Sequence, residues 1–141
     1  MTQEDKELLF KDLCARFPYG VKIQYDNQPC KLVVINDDYT VLLLGEDGHK
    51  PNIEDDLFLD IEKAKPYLRP MSSMTEEEDK EYTNIDNRSY SCPKDYAHIP
   101  AQERIDWLNA HHFDYRNLIK KCLAIEVTKE NNPYESTNKA H

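Results

Sequence analysis

Between residues 20 and 70 the chain carries the only sustained strand pattern it has, and that pattern limits the folds open to it. Val21, Ile23 and Tyr25 alternate with Lys22, Gln24 and Asp26, the period-2 spacing of a strand with one wet face. Asp26, Asn27, Gln28 and Pro29 then form a group of turn residues, of which Asp and Asn tolerate left-handed backbone. Cys30, Leu32, Val33, Val34 and Ile35 make a nearly continuous apolar run, suited to a strand covered on both faces. Asn36, Asp37 and Asp38 mark a second turn, residues 40–44 a third strand, and Gly45 with Gly48 a third turn. Phe58, Leu59 and Ile61 give a weaker fourth strand, residues 62–65 a single helical turn before Pro66, and Tyr67, Leu68 and Arg69 a last short strand. That order predicts an α+β fold built on an SH3-like antiparallel barrel, with an open bent sheet as the alternative.

Helices flank this centre. Thr2 with Asp5 predicts an N-cap, and Leu9, Phe10, Leu13, Cys14 and Phe17 recur at three- and four-residue spacing as the buried stripe. Pro18 ends that helix and Gly20 turns the chain into the first strand. Thr75 with Glu78 is a capping box opening a short polar helix to about Tyr82. Residues 84–99 lack periodicity and read as a long loop pinned by Tyr82, Tyr90 and Tyr96. Pro100 suits the first turn of a further helix, whose face is marked by Ile105, Leu108 and either Asn109 or His112. Asp114 is placed to cap a second helix carrying Leu118, Ile119, Cys122 and Leu123, which would make a C-terminal helical hairpin. Ile125 and Val127 allow a short closing strand, and the polar residues from Lys129 onward read as a flexible tail. The organisation expected is 1–70 as helix plus β-unit, 71–128 as a helical extension and 129–141 as tail.

Charge is distributed unevenly. Of the net −9, residues 46–86 hold thirteen acids against five bases, a local −8, whereas residues 87–141 sum to +1. A duplex-binding chain ordinarily shows a basic stripe, so this layout opposes general nucleic-acid affinity. No secretory leader pattern and no apolar run of about 20 residues is present, which predicts a soluble, cytoplasmic protein without a membrane span. The acidic polar face of the first helix argues against a membrane anchor. Cys14, Cys30, Cys92 and Cys122 stand singly with no C-x-x-C pair; the first, second and fourth sit in apolar patterns and read as buried thiols, Cys92 as exposed.

The densest polar-aromatic cluster is His111, His112, Phe113, Asp114, Tyr115 and Arg116. Two histidines and a carboxylate can serve acid/base work or a metal, but neighbours on a helix point about 100° apart and chelate poorly. Asp114 as a cap, a histidine at a hairpin corner, and Tyr115 and Arg116 reaching another element is the structural reading. Arg116, Lys120 and Lys121 on a second helix would instead form a phosphate-contacting face. With glycines only at 20, 45 and 48 a glycine-rich phosphate loop is ruled out, and neither a nucleophile elbow nor H-E-x-x-H occurs. No catalytic, cofactor or metal set therefore emerges. The residues singled out for interaction are Glu54, Asp55, Asp56, Glu76, Glu77, Glu78, Tyr90, His111, His112, Asp114, Tyr115 and Arg116.

Three stretches, residues 12–21, 65–78 and 106–116, resemble small uncharacterised proteins from prophages and mobile elements of gut Bacteroides-type bacteria. Those proteins carry glycine near positions 117 and 122, where this chain departs with Asn117 and Cys122. The resemblance implies a cytoplasmic accessory protein of a mobile element and brings no activity with it. The function expected is a non-enzymatic, acidic protein-interaction module whose partner is basic. A nucleic-acid-binding regulator using the C-terminal hairpin is the second reading, and an enzyme centred on the histidine cluster the third.

Overall fold

The computed structural model describes residues 1–45, 58–91, 93–96 and 98–134, with the side chains of residues 89–91 excepted. The turn expected at residues 46–48, the acids Glu54, Asp55 and Asp56, and Cys92 lie outside the described residues. The chain is a mixed α+β protein. Six strands form one curled sheet, a half-barrel in the order β4-β3-β2-β1-β5-β6. They are β1 (Lys22–Tyr25), β2 (Gln28–Ile35), β3 (Thr40–Gly45), β4 (Leu59–Asp60), β5 (Lys65–Leu68) and β6 (Ile125–Glu126). All neighbours are antiparallel except β5 and β6.

Local chemistry sets this topology. Asp26 and Asn27 both take positive φ (52° and 60°), as a two-residue hairpin turn with matching twist requires. The register Tyr25↔Gln28 follows from it. Between β2 and β3 the register slips at Val33, so this residue bulges outward and is 37% exposed. The run at residues 30–35 is thus covered on one face rather than both, and Cys30 is its only fully buried member. A 3-10 turn over Ile61–Lys63, capped by Asp60, returns the chain so that β5 pairs back onto β1.

Helix α1 (Gln3–Arg16) fills the hollow of the sheet and opens on the expected Thr2 N-cap, which Asp5 returns by accepting from Thr2 N–H. Leu9 and Leu13 are fully buried against Ile23, Val41, Leu43 and Ile61 in a single hydrophobic core that also takes Leu118, Leu123 and Ala124. Phe10 packs half-buried against that core as expected, but the other stripe positions differ. Asp12 and Arg16 are buried on that face, while Cys14 and Phe17 are exposed. Cys122 is exposed as well, so of the three thiols expected inside only Cys30 is buried.

The helical part departs further. Helix α2 (Glu76–Ser91) runs to Ser91 rather than Tyr82, so most of the expected loop is helix. Helix α3 (His98–Ala110) lies beside it. The pairs Asp86–Arg104, Arg88–Glu103 and Tyr82–Trp107 show that the two run antiparallel. These cross-helix bonds, with Ile85 the buried apolar residue of α2 among its described side chains and Leu108 a buried apolar residue of α3, replace the apolar stripe that propensity reading seeks. The helix expected from Asp114 onward is absent. Asn117 and Cys122 take positive φ (61° and 62°), and the segment closes as a single turn. Leu123 N–H donates to Leu118 O (2.8 Å) and Cys122 N–H to Ile119 O (3.0 Å), the paired bonds of a Schellman end. The expected C-terminal helical hairpin is therefore not found, and neither is the cationic second helix of a helix-turn-helix; α2 and α3 pack antiparallel instead. No helix of the described residues is long and apolar enough to cross a membrane.

Candidate functional site

The residues singled out from the sequence divide into two groups, one turned inward and one left on the surface. The inward group begins where α3 ends. His112 takes φ 64°, the position a glycine commonly holds, and the bonds Phe113 N–H to Leu108 O (3.0 Å) and His112 N–H to Asn109 O (3.1 Å) close the helix. That turn sends Phe113 into the core, where it is fully buried. It also lays the following chain along β5: Arg69 N–H donates to His112 O and Asp114 N–H to Arg69 O, both at 2.8 Å.

Around this junction the polar groups are spent on one another. Asp114 accepts from the N–H groups of Leu118 and Ile119, both at 2.9 Å. Asp12, fully buried, accepts from Arg16 Nε and from Arg116 Nη1, each at 2.8 Å. Arg16 reaches on to Phe113 O (2.6 Å), and the Tyr115 ring lies under both guanidiniums at 5.1 and 4.6 Å. Removing charges from water is costly unless they are paired and bonded, which this network supplies at every point but Arg16 Nη1, buried without a hydrogen-bond partner among the described residues. Arg69 covers Phe113 at 4.2 Å and grips both oxygens of Glu78 at 2.7 Å, a two-pronged pair. The Arg69 guanidinium, against a smaller opposing effect of burial, holds the Glu78 carboxyl down at about 2. Glu78 closes the capping box with Thr75 as well.

The two histidines are held by stacking. His111 lies 4.1 Å from Trp107, with its Nδ1 2.9 Å from Trp107 O. His112 stacks on Tyr134 at 3.7 Å. The Tyr134 hydroxyl accepts from Lys22 N–H (3.1 Å) and donates to Tyr67 O (2.6 Å), bridging β1 and β5 where their ladder ends. Burial raises the Tyr134 phenol well above its ordinary range. The tail is thus strapped down as far as Tyr134. Among the described residues no group of three or more His, Cys, Asp or Glu is arranged to hold a metal ion.

The surface group lies on the first turns of α2. Glu76, Glu77 and Asp79 are exposed and have no ion-pair partner among the described residues, whereas Glu78, Glu81 and Asp86 on the same helix are bonded to Arg69, Trp107 and Arg104. Beside the free carboxylates, Met71, Met74 and Tyr82 line an open groove of about 460 Å³ that Glu76 and Asp79 border. Tyr90 lies on α2, but its side chain is outside the described residues. Sequence reasoning missed Asp12, Arg16, Arg69 and Tyr134. The i, i+4 spacing of Asp12 and Arg16 on an apolar stripe was the signal available for the first two.

Fold and site together define a small α+β half-barrel protein with a sealed polar-aromatic junction and an acidic helix start. No protein-family model, curated protein or solved structure matches it.

Proposed function

We propose that this protein is a non-enzymatic interaction module that meets a basic protein partner through the N-terminal turns of α2. The observation that carries this reading is the division of carboxylates on one helix. Glu78, Glu81 and Asp86 are consumed internally, while Glu76, Glu77 and Asp79 face solvent without a cation among the described residues. Methionines and a tyrosine beside those acids give an adaptable apolar footing for the same partner. Charge of this kind speeds association and selects against acidic competitors. The inward closure of His111, His112, Asp114, Tyr115 and Arg116 favours a scaffold role for that cluster over acid/base chemistry. The strand order, with a 3-10 turn returning β5 to β1, supports an SH3-like framework for the module. A cytoplasmic accessory role in a mobile element accords with the resemblance of residues 12–21, 65–78 and 106–116.

The test is binding of a fluorescein-labelled, lysine-rich amphipathic peptide, read by anisotropy at low salt. Glu76→Gln/Glu77→Gln/Asp79→Asn is compared with Glu4→Gln/Glu7→Gln/Glu126→Gln, a set of exposed acids with the same change in net charge. With about 1 kcal/mol per contact in water, the first set loses on the order of 100-fold in affinity and the second little. Equal losses from both sets would reduce the effect to bulk charge and remove the site.

A further inference from the structure

After β6 the chain folds back as a strap, residues 127–134, and part of its bonding is internal. Thr128 donates to Asn131 Oδ1 through both N–H and hydroxyl, and Tyr134 N–H donates to Asn132 Oδ1. Those bonds travel with the strap if it lifts. Its far end is fastened by an aromatic latch: the Tyr134 ring lies on His112 at 3.7 Å, and its hydroxyl sits between Lys22 N–H and Tyr67 O. The imidazole in that latch is placed where a charge is poorly received. His112 Nδ1 is buried without a hydrogen-bond partner among the described residues. Arg16 of α1, His111 of α3, Arg69 after β5 and Lys22 of β1 bear on it as positive neighbours, and Lys129 stands in the adjoining hollow. The carboxylates on the neighbouring elements are taken, Glu78 by Arg69 and Asp12 by Arg16 and Arg116. The Tyr134 face favours an imidazolium by cation–π attraction, but that is the smaller effect. Burial first, and then the charges of those four neighbours, hold His112 down at about 4.

We propose that His112 and Tyr134 form an acid-released latch: a proton taken up by His112 lifts the Thr128–Tyr134 strap while the core stays folded. Two features make the opening local. The strap follows the last strand, so no later element among the described residues depends on it, and the core cluster contains none of residues 127–134. Once the strap lifts, Lys22 N–H and Tyr67 O turn to water and the imidazole gains access to it, so the released state binds the proton more tightly. Between 6.5, the ordinary imidazole value, and about 4, the proton changes the released-to-latched ratio by up to about 300-fold. Glu78, held at about 2, stays ionised and paired with Arg69 across that range. The latch is independent of the acidic face of α2 proposed above.

Isotope-labelled full-length protein is followed by amide spectra from about pH 7 to about pH 3.5 at constant ionic strength. The amides of Thr128, Asn131 and Tyr134 are expected to reach random-coil positions while those of Leu9, Leu13 and Ile23 keep native ones. His112→Asn, a neutral side chain that accepts the left-handed backbone of this position, is expected to stay latched over the same range. Tyr134→Phe keeps the stacking ring but loses the hydroxyl bridge, and is expected to release at a higher pH than the native chain. Loss of strap and core amides in one transition overturns the proposal, as does a strap still latched at about pH 3.5. Release of His112→Asn or of Tyr134→Phe at the native pH overturns it as well.

Discussion

Asp12→Ala is the sharpest test of how this fold is held together. The substitution removes two charge-assisted bonds of 2.8 Å, one to Arg16 and one to Arg116, at a fully buried carboxylate. Arg116 retains partial access to water at 18% exposure and can rehydrate, but the Arg16 side chain has 0% exposure and cannot. Arg16 is then left with Phe113 O as its hydrogen-bond partner. Leaving a buried charge without its counter-ion costs about 3–5 kcal/mol. Against the roughly 5–15 kcal/mol that a domain possesses, this is a large share of the total. For a chain of this length the loss corresponds to a fall in Tm of about 10–15 °C. Urea unfolding followed by circular dichroism reads the effect, with m compared between variants to confirm that the same surface unfolds. Asp12→Leu/Arg16→Met separates the reasons. If the cost of Asp12→Ala is an orphaned charge, removing both partners is less harmful than removing one. A loss below about 1 kcal/mol for Asp12→Ala, or a double variant no better than the single one, would refute the reasoning.

Other expectations follow from the same junction. Glu78 is held at about 2 against 4.5, so its contribution of about 1–2 kcal/mol is complete above pH 4.5 and is lost as pH falls toward 2. His112 is held at about 4 against 6.5, so the unfolded chain takes up the proton first and about 2 kcal/mol drains away as pH falls from 6.5 to 4. A Tm-against-pH series should show both stages, and His112→Gln should erase the upper one alone. Tyr134→Phe removes the hydroxyl that bridges Lys22 N–H and Tyr67 O, and a loss of about 1–2 kcal/mol in urea unfolding is expected. Cys122→Gly relieves an exposed side chain at φ 62° and should stabilise by up to about 1 kcal/mol in the same assay.

The β-unit was legible because its signals are local. Alternation at residues 21–26, turn chemistry at Asp26 and Asn27, and the reciprocal Thr2–Asp5 cap each act within a few residues. The helical part was not, because its determinants are distant in sequence. Nothing near residues 84–91 announces a helix whose support comes from Glu103, Arg104 and Trp107. The region from Asp114 reads as a helix by its apolar spacing, and Asn117 and Cys122 give no glycine to mark the breaks, although both sit in left-handed backbone. Arg16 fills an apolar stripe position that only Asp12 and Phe113 O make tenable. At the candidate site, reading the acids as one patch was too coarse. Glu78 belongs to Arg69, whereas its neighbours Glu76, Glu77 and Asp79 have no ion-pair partner among the described residues.

The central claim is that other macromolecules meet the acidic start of α2 and not the cluster at residues 111–116. Amide hydrogen exchange with the lysine-rich peptide bound tests it segment by segment. The account requires added protection over residues 75–82 and unchanged exchange over 111–119. Protection confined to residues 111–119, with α2 exchanging as in the free protein, would contradict it.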